Sequence, residues 1–131
     1  MLAELESDVT PERSGAVKVA LHEGMPVPKD WTREALASLP FVVVGVVSGA
    51  VDTRWLDLCD VTVADGEDAL ERIEANVAEH PITAVTLALL LRGQDGLSVT
   101  QGLVAESSAY SVLQAGPEFA AWRAAPPLRI V

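Results

Sequence analysis

The chain has 131 residues, half of them hydrophobic, with nineteen acidic against nine basic side chains and a formal net charge of −10. That length fits one domain with a core of its own, and the charge disfavours nucleic acid or an anionic membrane as partner, since either would repel it. The single cysteine, Cys59, excludes an internal disulfide framework and suits a reducing cytoplasm. The opening Met-Leu-Ala-Glu-Leu-Glu-Ser-Asp is acidic and has no basic stretch followed by an apolar one, so it does not read as a signal peptide. The longest apolar run, Ala84 to Leu91, includes Thr86 and falls far short of the roughly 20 residues a bilayer requires. The expectation is a cytoplasmic chain without a membrane partner.

Residues 1–14 are acidic and contain Pro11, which predicts a flexible lead-in. Ala16 to Leu21 alternates as a strand does, and His22-Glu-Gly-Met-Pro-Val-Pro28 follows as a Gly/Pro loop at its carboxyl end. Asp30 is an expected N-cap for a helix reaching Leu39, which Pro40 ends. Phe41-Val-Val-Val-Gly-Val-Val47 is a β-branched run, as in a strand buried on both faces of a parallel sheet. A turn over 48–53, a short helix over 54–58 and a third strand at Val61–Val63 come next. Gly66-Glu-Asp then opens a helix to about Ala78, its early acids placed well against the helix dipole. His80 to Arg92 reads as a further helix, and so does the stretch from Gly102 to Gln114, with Leu103, Tyr110 and Leu113 near one face. Gly116-Pro117 breaks that run and starts a last short helix carrying Phe119 and Trp122. The predicted class is α/β: a small, mostly parallel sheet of about three strands, followed by a helical C-terminal half.

Few residues offer chemistry. His22 and Glu23 lie at a strand's carboxyl end, where open α/β sheets place ligands, and they form a candidate polar site; a merely solvated histidine is the plainer account. Glu106 and Tyr110 stand four apart on one helical face, a spacing more often structural than functional. Two histidines and one distant cysteine supply no metal-ligand spacing. Asp52, Asp57, Asp60 and Asp65 lack the glycine and the terminal glutamate of a calcium loop, and Asp60 and Asp65 read as bounding the short third strand. There is no hydrolase elbow around Ser48 and no phosphate loop among Gly93, Gly96 and Gly102.

Over roughly residues 76–123 the order of helices resembles the tail of the enoyl-CoA hydratase/isomerase (crotonase) superfamily. His80-Pro-Ile-Thr-Ala-Val-Thr-Leu-Ala-Leu-Leu-Leu-Arg92 is similar to the helix that leads into that tail. The stretch from Gly102 through Gly116-Pro117 to Trp122-Arg123 is similar to the tail itself. Upstream, Phe41 to Gly49 resembles the family's strand before a glycine-rich turn, and Leu58-Cys59-Asp60 resembles its later cysteine-aspartate pair. The resemblance implies a crotonase-like fold and acyl-CoA as substrate, with no resident cofactor. It also implies a site built on two backbone N–H donors that hold a thioester oxygen as it gains charge. Gly24, Met25 and Gly49 are the candidate oxyanion or ligand-loop residues. The chain departs from the pattern where the family has glycines: Ala50-Val-Asp-Thr-Arg-Trp55 stands there, and the glutamate-bearing stretch is missing. No catalytic residue can be carried over.

Residues 15–123 are thus expected to form a crotonase-like α/β unit with a helical tail. Ala124-Ala-Pro-Pro-Leu-Arg-Ile-Val131 reads as a Pro-rich linker or the start of a following strand, as at the front of a longer protein, or else as the frayed end of a small one. Three functions follow: a module that packs on an acyl-CoA-transforming core, a self-sufficient small enoyl-CoA hydratase/isomerase, or a non-catalytic helical interaction module. The expected partner is a second copy or a crotonase-core chain or domain. Tyr110, Leu113, Phe119 and Trp122 are the expected interface residues.

Overall fold

The structure, a computed structural model, describes residues 15–127. The acidic lead-in over 1–14 and the Leu-Arg-Ile-Val end lie outside the described residues. Three strands, β1 (Ala16–His22), β2 (Val42–Ser48) and β3 (Val61–Ala64), form one parallel sheet in the order β1-β2-β3. The β-branched run occupies the central strand, as continuous apolar sequence in a doubly covered strand requires.

Alternation along the strands sorts two apolar layers. Val19, Leu21, Phe41 and Val43 face one side, where Trp31, Leu36, Leu39 and Trp55 cover them. That cover comes from α1 (Arg33–Leu36), α2 (Arg54–Leu58) and the loops before and after α1. Trp31 and Trp55 meet edge to face at 5.2 Å, and the Trp55 indole N–H donates to the Met25 carbonyl. On the other side Val42 and Val44 pack against Val77 and Ala88, which belong to α3 (Ala69–Glu79) and α4 (Pro81–Arg92). Gly45 sits where the sheet is tightest: a Cβ there would lie 2.9 Å from Cys59 Sγ and 3.0 Å from a Leu21 methyl.

The first helix is shorter than its sequence predicts. Trp31 N–H bonds back to the Pro28 carbonyl, so residues 28–31 form a turn and Thr32, not Asp30, is the N-cap, accepting from Ala35 N–H at 3.1 Å. The helix ends at Leu36 because Ala37 and Leu39 take tighter three-residue bonds before Pro40. Likewise Gly66, in the left-handed region at φ +85°, turns the chain out of β3 and delays α3 until Ala69.

Past the sheet, α5 (Val99–Gln114) starts with a full capping box between Ser98 and Gln101, and α6 (Pro117–Ala124) follows it across a break. The break falls at Gly116-Pro117 as expected. Gly116 has φ −91°, an ordinary extended N-cap geometry and not a left-handed one. What argues for glycine there is space: a Cβ would lie 3.3 Å from the Leu113 carbonyl oxygen. The half-buried residues of α5 are Gly102, Ala105, Ala109 and Leu113, spaced three or four apart as one helical face demands. Leu103 and Tyr110 lie off that face and are exposed. Among the described residues no helix is long and apolar enough to cross a membrane.

Candidate functional site

The three parallel strands end together, and their carboxyl edge gathers the loop residues expected to form a site. His22 and Ser48 are register partners on β1 and β2, and Asp65 follows β3. Gly24, Gly49 and Gly66, one in each following loop, are all left-handed, with φ between +76° and +85°. Nothing lies within 4 Å of where their side chains would be. Each loop therefore turns sharply through a glycine that leaves open space beside the backbone.

The polar groups of this edge are engaged with one another. Ser48 hydroxyl donates to Asp65 Oδ2 at 3.0 Å. His22 Nδ1 lies 3.2 Å from the Glu23 carbonyl oxygen, which puts the proton of the neutral ring on that nitrogen and leaves Nε2 as an acceptor. The structure thus brings His22, Ser48 and Asp65 to one edge, with the aspartate bonded to serine and no hydrogen bond between the histidine and either one.

Of the backbone donors suggested by the crotonase resemblance, Met25 N–H is already spent on the His22 carbonyl at 3.2 Å. Gly24 and Gly49 N–H have no backbone acceptor among the described residues. The turn opening α2 holds Asp52. Its Oδ1 accepts Arg54 N–H at 3.0 Å, and both carboxylate oxygens take the Arg54 guanidinium, the shortest contact being 2.6 Å. Those side-chain and backbone bonds hold the Asp52 carboxyl well below the usual range, at about 2.

The opposite, amino edge of the sheet holds a group that sequence reasoning missed. Arg92, at the end of α4, reaches back across the sheet. Its Nε and Nη2 donate to Asp60 at 2.8 and 2.5 Å, Nη1 donates to the Leu39 carbonyl at 2.8 Å, and Nη2 also donates to the Phe41 carbonyl at 2.6 Å. Asp60 in turn accepts Val43 N–H at 2.7 Å. The two side chains are only 12% and 15% exposed. The available signal was a lone arginine closing an apolar helix, paired with the aspartate of Cys59-Asp60. Beside this clamp lies a cleft of about 580 Å³, lined mostly by apolar side chains of α2, β3, α3 and α4. Arg33 spans its mouth, paired with Asp57 and Asp95. Cys59 also lines the cleft; burial, with some help from Asp60, pushes its thiol up to about 11, so it is unreactive at neutral pH. Among the described residues no cluster of three His, Cys, Asp or Glu groups is placed to hold a metal ion.

The four expected interface residues lie on α5 and α6. Tyr110 and Trp122 are 63% and 68% exposed, while Leu113 and Phe119 are half-buried. Phe119 and Trp122 stack at 5.6 Å. Glu106 and Tyr110 share a helix but no hydrogen bond joins them. Comparison with known proteins returns no matching protein family, no matching characterised protein and no matching solved structure.

Proposed function

We propose that the chain is a crotonase-like module that packs on, or completes, an acyl-CoA-transforming core and lacks a full oxyanion hole of its own. The observation that carries this reading is the surface of the helical half. Ile82, Leu87, Leu89 and Leu91 of α4, Val99, Leu103, Val104, Tyr110 and Val112 of α5, and Trp122 of α6 are all exposed. A helix as apolar all round as α4 is normally a buried one, and contiguous apolar surface marks an interaction site. Charge is segregated to match: sixteen of the nineteen acids precede residue 81, and the remaining residues carry three acids and three bases. The neutral helical half is thus the part of this acidic chain best able to meet another protein without repulsion.

The resemblance supplies the identity of the core, and the arrangement of strand, short helix, strand and broken helical tail agrees with it. Asp52 seated in the donor turn supports the absence of independent catalysis. The test has two measurements. The isolated chain should give no hydration of a short enoyl-CoA above background, and when co-expressed with a glycine-rich crotonase core it should co-purify with it at fixed stoichiometry. Turnover by the isolated chain, or failure to form that complex, would sink the proposal.

A further inference from the structure

The cleft beside the Arg92–Asp60 clamp, about 580 Å³ in volume, is lined by residues of α1, α2, β3, α3 and α4. That size lies within the range of small-molecule sites, which are mostly apolar and carry few polar groups. Leu58, Val61, Ile73, Ala84, Leu87 and Leu91 are among the aliphatic side chains of its walls. No serine, threonine, asparagine, glutamine, histidine or tyrosine is among the lining residues. Five charged side chains line it, and each is paired with another of the five. Arg92 holds Asp60, and Arg33 holds both Asp57 and Asp95.

A charged ligand would therefore find no free counter-ion in the cleft. An anionic head would meet three carboxylates and two guanidiniums already held by them, on a chain of −10. A cationic head would have to compete with Arg33 for Asp57 and Asp95. An extended peptide would bring backbone N–H and C=O groups that no uncommitted lining side chain can satisfy, and an unsatisfied polar group is costly to bury. Arg33 still has a donor to spare, since a guanidinium carries five N–H bonds. Its Nη1 faces Asp95 and its Nη2 faces Asp57, while its Nε–H makes no hydrogen bond among the described residues. An uncharged oxygen can accept from that group without breaking either ion pair.

We propose that this cleft binds a small uncharged lipid-like molecule, a hydrocarbon body with one hydroxyl or carbonyl oxygen at the end that meets Arg33. Affinity comes from covering the aliphatic walls, which removes apolar surface from water. The oxygen sets which end of the molecule lies at the mouth. Arg33, whose side chain is more than half exposed, is free to swing aside and admit the body. This inference stands independently of the acyl-CoA reading. Its test uses the chain alone, so failure to bind a crotonase core leaves it untouched.

The experiment is a magnetic-resonance titration of the full chain with isotope-labelled isoleucine methyl groups. Ile73 lines the cleft, while Ile82, half exposed on α4, does not. The two methyls therefore separate entry into the cleft from adsorption on the apolar surface. The probes are decanol, decanoate and decylammonium, each below its micelle concentration. We expect decanol to shift Ile73, to leave Ile82 in place, and to bind at least about tenfold more tightly than either charged probe. Ala84→Leu, which fills the cleft, should weaken decanol severalfold. Leu87→Gln, at a side chain half in solvent, should do the same without touching the core, and Arg33→Leu should do so by removing the donor. Equal or tighter binding of a charged probe, a shift at Ile82 as large as at Ile73, or an affinity unchanged in all three variants would overturn the proposal. So would an Ile73 shift on concentrating the chain alone, because a second copy would then be the occupant.

Discussion

At the scale of single residues, the Arg92–Asp60 clamp is the strongest polar feature of the molecule. Four bonds from one guanidinium reach a carboxylate and two backbone carbonyls, and bidentate geometry of this kind suits arginine and not lysine. Truncation to Arg92→Leu would strand Asp60 and leave the Leu39 and Phe41 carbonyls without their donor. Breaking a buried pair by removing one partner costs about 3–5 kcal/mol, against a total stability on the order of 5–15 kcal/mol. Arg92→Leu should therefore lower the urea midpoint sharply with little change in slope. Asp60→Asn, which keeps an acceptor for Val43 N–H, should cost less. Equal and small losses for both variants would mean that the clamp is dispensable. Asp52 is a contrasting case, since its bonds to Arg54 are local and solvent-exposed and belong to the shape of the turn before α2 more than to stability.

At the scale of elements, the helical half is held by caps more than by burial, for neither α5 nor α6 contains a fully buried residue. Glu118, in the first turn of α6, caps the start of α4: its carboxylate accepts Thr83 N–H at 2.8 Å and Ile82 N–H at 3.0 Å. Desolvation raises its pKa, but the bonds from Thr83 and Ile82, with the charge of nearby His80, outweigh that and leave the carboxyl net lowered. The stabilisation is therefore present above the carboxyl's unfolded pKa and is lost as pH falls through the lowered folded value. Loss of a cap costs about 0.5–2 kcal/mol. Glu118→Gln should be less stable than the parent at pH 7, and the difference should close in acid; thermal unfolding at several pH values checks this. A gap that persists undiminished at the acid end would mean the carboxylate charge is irrelevant to the cap.

Much of the element order was readable from the residues, because β-branched runs and the Gly-Pro break are local signals. Asp60 and Asp65 do bound β3 as expected. The clamp, the Glu118 cap and the true face of α5 were not readable, since each joins groups 30 or more residues apart or depends on which side of a helix the rest of the chain covers. Leu103 and Tyr110 look like a packing stripe by spacing alone. In the fold the small residues Gly102, Ala105 and Ala109 face inward and the large ones are left outside.

At the scale of the whole molecule, an acidic sheet half is joined to a neutral helical half whose large apolar side chains are uncovered. The two halves should answer salt in opposite ways. Partners drawn to the acidic half lose affinity as ions screen it, over a distance of about 8–10 Å at 0.1–0.15 M. Association through α5 and α6, as proposed, would rest on apolar burial, which screening does not weaken. Exposed aromatics are the usual anchors of such contacts, and Trp122, stacked on Phe119, is 68% exposed among the described residues. Trp122→Ala should therefore weaken assembly, whether with a second copy or with a crotonase core, by about tenfold or more, corresponding to at least 1.4 kcal/mol. The sheet should remain folded, since no residue of α6 belongs to either apolar layer. Sedimentation of the parent and the variant at 50 and 500 mM salt, with and without the core, measures both claims. A parent chain that stays monomeric at high concentration and ignores the core, or an assembly that dissolves in salt and is indifferent to Trp122, would show that the helical face is not where this molecule meets its partner.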